Sequence, residues 1–141
     1  MRALVAMVLV ASCATAALPP PNERLAGCWI DRKADNTAIT MRWLPPSPEA
    51  TVLRGERLIY GPAGATTDRS SYELSPEGEG WNFCVVTDPT APRCYRVAEG
   101  ESGSLEGGRA FIDQHRERLR ISIIADGVER IVFQGDRDGC D

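Results

Sequence analysis

The chain has 141 residues, of which 43% are hydrophobic and 26% charged, with a formal net charge of −4. That length holds one domain and not two. The acidic balance excludes a nucleic-acid binder, because phosphates call for a basic face.

Met1 and Arg2 open the chain, an almost unbroken apolar run follows from Ala3 to Ala11, and Ala14-Thr15-Ala16 supplies small residues. A charged start, a short apolar stretch and an A-x-A site define a secretory signal peptide over residues 1–16. The apolar run is too short to cross a bilayer, which takes about 20 residues. No polar face punctuates it, as one would in an amphipathic domain helix. Val10-Ala11-Ser12-Cys13 also resembles a lipoprotein cleavage box, in which Cys13 becomes the lipidated first residue and Ala14 to Pro21 a tether. Cleavage near Ala16 is preferred, and both readings export the protein to the periplasm or beyond, lipid-anchored in the second case. Loss of Arg2, the lone charge before Leu18, takes the formal balance from −4 to −5.

Residues 17–24 read as a lead-in held extended by Pro19, Pro20 and Pro21. The domain follows over residues 25–141. Asn22 is expected to cap a helical turn from Glu23 to Ala26, which Gly27 ends. Short strands then alternate with turn residues. The expected strands are Cys28–Lys33, Thr37–Leu44, Thr51–Arg54 continued by Glu56–Tyr60 after a bend at Gly55, Ser70–Ser75, Trp81–Thr87, Arg93–Glu99, Ala110–Asp113, Arg118–Ile124 and Val128–Gln134. Alternation is clear where Ile39, Met41 and Trp43 share one face, as do Trp81, Phe83 and Val85, and again Leu119, Ile121 and Ile123. Asp126-Gly127 suits a tight primed turn. Gly61 to Asp68 and Gly100 to Gly108 read as loops.

Eight or nine such strands predict an all-β fold, a small antiparallel up-and-down barrel whose closure removes exposed edges. Five cysteines are present; Cys13 falls in the exported leader, leaving Cys28, Cys84, Cys94 and Cys140. An even number in a short exported chain implies two disulfides. A zinc site would need paired spacings such as C-x2-C, which are missing, and His115 is the sole histidine. Four cysteines allow three pairings. In a closed meander the first and last strands are neighbours, which favours Cys28–Cys140 across the seam and Cys84–Cys94 across one hairpin.

Leu25-Ala26-Gly27-Cys28-Trp29 resembles the Gly-x-Trp opening of lipocalin-like barrels. There a helical turn leads into the first strand and the tryptophan plugs one end, which gives Gly27 and Trp29 structural roles. More closely, the chain resembles a family of small exported bacterial lipocalin-like (calycin-type) domains with an LAGCW opening. Trp43 with Pro46, Tyr72-Glu73 and Cys140-Asp141 match further family features. Val52-Leu53-Arg54 stands where the family has Met-Leu-Gly. Asp88 to Pro92 lacks the histidine and phenylalanine of its His-Asp-Phe-Pro stretch. The family has no activity to carry over.

No catalytic constellation emerges. Gly100 to Ser104 fails as a nucleophile elbow because Ser104 stands where glycine is required. His115 reads as a turn residue. Asp136 to Gly139 lacks the glutamate of a calcium loop, and Gly61 to Gly64 lacks a following Gly-Lys. Trp29, Trp43, Tyr72, Trp81, Phe83 and Tyr95 form the core or line a ligand pocket. Arg54 or Arg96 would add a polar contact if turned inward. Arg130 or Arg137 is expected to cover Trp29. The leading expectation is a monomeric, non-enzymatic binding module, without cofactor or metal, holding a small apolar or amphipathic ligand. The alternatives are a protein-binding module such as a protease inhibitor, projecting Ala17–Glu23 or Gly100–Gly108, and a filled-barrel envelope component.

Overall fold

A computed structural model describes residues 17–98 and 108–140. Residues 1–16, read above as a signal peptide with Cys13 in it, and most of the expected Gly100–Gly108 loop lie outside the described residues. One short helix, α1 (Pro21–Leu25), precedes nine strands. These are β1 (Gly27–Arg32), β2 (Ala38–Leu44), β3 (Leu53–Tyr60), β4 (Thr66–Glu77), β5 (Gly80–Val85), β6 (Arg93–Val97), β7 (Arg109–His115), β8 (Arg118–Ala125) and β9 (Val128–Asp138). They form one closed barrel in sequence order.

One step of the ring is not antiparallel. β6 and β7 run parallel, joined through Arg96–Arg109 and Val97–Ala110, with the Ala98 N–H donating to the Ala110 carbonyl at 2.9 Å. Parity requires this. A meander of nine alternating strands would bring β1 and β9 together parallel, yet they pair antiparallel. One parallel step elsewhere reconciles the two; a ring of eight would need none.

The seam between β1 and β9 is short, pairing Cys28 with Asp138, Trp29 with Arg137 and Ile30 with Asp136. The Cys28–Cys140 disulfide fastens it, with Cα atoms 5.3 Å apart. Cys84 and Cys94 are direct cross-strand partners on β5 and β6 and form the second disulfide. Both bridges are as expected.

Several local boundaries differ from the sequence reading. Pro20 precedes the first helical turn and Pro21 lies at its start, where a missing N–H costs nothing. Asn22 is therefore inside α1, and its carbonyl accepts from the Ala26 N–H at 3.1 Å. Gly55 makes no bend, since β3 runs unbroken to Tyr60. Instead the Trp43 ring lies against it, and a Cβ on Gly55 would stand 2.7 Å from Trp43 Cη2. β4 is longer than expected because Thr66–Arg69 and Pro76–Glu77 find backbone partners on β3 and β5. β7 and β9 are also longer than their apolar patterns.

The inward faces fill the barrel. Trp29, Met41, Trp43, Leu74, Phe83 and Ile121 are buried, with Leu25 of α1 beneath them. Trp43, Tyr72 and Phe83 form an aromatic triangle with centroids 5.5 to 6.3 Å apart, in tilted arrangements of the kind aromatic quadrupoles favour.

Candidate functional site

The two ends of the barrel differ. At the end where β1 begins, α1 lies across the lumen. Trp29 donates its indole N–H to the Leu25 carbonyl at 2.9 Å, and Arg24 reaches the Ile112 carbonyl at 2.6 Å. Arg137 stacks over the Trp29 ring, 4.2 Å from its centroid, and so fills the covering role for which Arg130 was the other candidate. Pro21 and Arg24 are buried in this plug, so the exposed part of the lead-in is residues 17–20 and Glu23.

At the opposite end, β3, β4, β5 and β9 bound a cleft of about 510 Å3. Tyr72 forms its floor, Val85 and Val132 its apolar walls, and Arg57, Ser70 and Arg130 its polar ones. Strand register explains the arginines. On β3, Gly55 pairs with Trp43 and Arg57 with Met41, so Arg57 shares their inward face. On β9, Arg130 pairs with inward-facing Ile123. Asp126 (φ 53°) and Gly127 (φ 72°) make the tight turn that sets this register.

Arg57 reaches across the lumen. The β8–β9 register shifts so that Ile121 pairs with Phe133 and Ser122 with Ile131, leaving Val132 as the extra residue of a bulge. Arg57 Nη1 donates to the Val132 carbonyl at 2.8 Å. Its Nη2 lies 3.4 Å from Ser70 Oγ and 3.8 Å from Asp68 Oδ2. The Nε of Arg57 is buried without an acceptor.

The sequence-predicted site residues divide. Tyr72 lines the cleft. Trp43 and Phe83 are fully buried core, and Trp81 and Tyr95 pack partly buried against that core. Arg54 and Arg96 point outward. Arg54 neighbours inward-facing Leu53 and Gly55 and is exposed. Arg96 lies over Gly80 on the outer surface and donates to the Glu77 carbonyl at 2.9 Å. Arg57 and Arg130 line the cleft, although no apolar–polar alternation around them marks either as inward-facing. Counting from the Asp126-Gly127 turn would have turned Arg130 inward.

Perturbed carboxylates lie elsewhere. Asp35 and Asp88 accept from the hydroxyls and amides of Thr37 and Thr90, which holds both below the usual carboxylate range. His115 is exposed at the end of β7. Among the described residues no group of three or more His, Cys, Asp or Glu side chains could hold a metal ion. A separate cleft of about 650 Å3 lies outside the lumen, between Leu18, Arg24 and the Phe111–His115 stretch. No family model, curated protein or solved structure matches this chain.

Proposed function

We propose that this protein is an exported, non-enzymatic binding module that takes one small amphipathic molecule at the barrel end opposite α1. The observation that carries the reading is the cleft of about 510 Å3 at that end, with an apolar side at Tyr72, Val85 and Val132 and a polar side of arginines, serines and Thr87. That volume lies within the range of about 300–1,000 Å3 typical of small-molecule sites, and the mixed lining suits a ligand with a polar head and an apolar tail. The buried aromatics below act as a rigid floor, so the ligand sits above the core and not within it. Export rests on the leader-like residues 1–16, and the two disulfides fit an oxidising compartment. Filling of the lower barrel by Trp43, Phe83 and Leu74 favours a second reading, a rigid envelope component without a ligand.

Native mass spectrometry of the protein purified from its own host separates them. The binding reading expects a bound small molecule, lost on denaturation and competed by a ligand that fills the cleft. A bare polypeptide mass, with no adduct after incubation with host lipid and metabolite extracts, would leave the filled-barrel reading standing.

A further inference from the structure

The cleft holds more positive charge than its neighbours offset. Arg57, Arg69 and Arg130 line it. Glu56 pairs with Arg69 at 3.5 Å, and Asp68 stands 3.8 Å from Arg57. Arg130 makes no ion pair or side-chain hydrogen bond among the described residues. The Arg57 Nε–H is buried with no acceptor, and a buried donor left unpaired is costly. One guanidinium charge is thus unmatched, inside a chain whose overall balance is −4. Low-dielectric walls concentrate the field of such a charge.

Resting on the binding reading above, we infer that the cleft takes a monoanionic amphiphile: a carboxylate held by the unpaired Arg130 guanidinium in the field of Arg57, with its apolar tail against Tyr72, Val85 and Val132. Guanidinium and carboxylate geometries match, and charge-assisted hydrogen bonds are the stronger class. A phosphate dianion would leave one negative charge unbalanced beside Asp68.

The test titrates decanoate, 1-decanol and decyl phosphate into the oxidised, folded protein, followed by backbone amide shifts of Tyr72 and Val132. Decanoate is expected to bind about tenfold tighter than 1-decanol, and to weaken as salt is raised. Arg130→Gln changes an exposed side chain with no partner and keeps the fold. It should reduce decanoate affinity by about tenfold and leave 1-decanol unchanged. Equal binding of decanoate and 1-decanol, with Arg130→Gln silent, would overturn the anion assignment and leave the binding reading intact. Tighter binding of decyl phosphate would overturn the monoanion assignment. Binding of none of the three would remove the binding reading as well.

Discussion

Opening the barrel seam should cost far more than opening the hairpin bridge. Cys28–Cys140 spans a sequence separation of 112 and Cys84–Cys94 one of 10. Loop-closure entropy grows with the logarithm of the loop, so the long bridge contributes about 4.8 kcal/mol and the short one about 2.7 kcal/mol. Against a typical total of about 5–15 kcal/mol, the first is a large share. At roughly 4 °C per kcal/mol for a domain of this size, its loss lowers Tm by about 20 °C. Native geometry points the same way, because only three residue pairs join β1 to β9. Urea denaturation of the C28A/C140A and C84A/C94A variants, monitored by tryptophan fluorescence, measures both. The C28A/C140A variant should show the lower midpoint and a steeper denaturant dependence, since its unfolded chain is released from a near-full-length loop. Cys84 is buried and its removal carries an extra packing cost, so the predicted difference is an upper bound. A C28A/C140A midpoint equal to that of the parent, or above that of C84A/C94A, would refute the reasoning.

Gly55→Ala places a methyl 2.7 Å from the buried Trp43 ring and should cost about 1–3 kcal/mol by overpacking. Adding Trp43→Phe should recover part of that loss, visible as non-additivity in a double-mutant cycle. Arg137→Ala removes the stack on Trp29 and the 3.4 Å contact to Glu117 and should lower stability by about 1 kcal/mol, whereas Arg130→Ala should leave the melting temperature unchanged. Asp35 and Asp88 have depressed folded-state pKa values, so what their bonds to Thr37 and Thr90 contribute is present above the ordinary value of 3.8 and is lost as pH falls through the folded values. Side-chain carboxyl resonances followed by NMR should titrate below 3.8 at both positions. Midpoints at or above that value would mean that the turn contacts do not hold in solution.

Much of the fold is legible in the sequence because period-two patterns report directly on a half-buried sheet. Ile39, Met41 and Trp43 announce β2, and Leu119, Ile121 and Ile123 announce β8. Cysteine arithmetic then closes the ring at Cys28 and Cys140. Strand ends are less legible, since β4 and β9 extend through exposed polar residues whose only reason to be extended is a backbone partner. The parallel β6–β7 step follows from nine strands closing on an antiparallel β1–β9 seam, a parity that no residue pattern announces.

The candidate site was hidden where alternation fails. Leu58, Ile59 and Tyr60 are consecutive and apolar, so β3 shows no period that would say which of Arg54 and Arg57 faces inward. The eight residues between β2 and β3 fix no register on their own. What does fix it is a steric pairing: Trp43 needs the bare backbone of Gly55 opposite, and that match places Arg57, two residues on, inside the barrel. Arg57 is tolerated there because the β9 bulge leaves the Val132 carbonyl off the ladder, and a buried carbonyl requires a donor. One departure from regularity thus supports the other. A guanidinium anchored by its Nη1 to the opposite wall brings its charge to the cleft, where Arg130 has no partner of its own among the described residues.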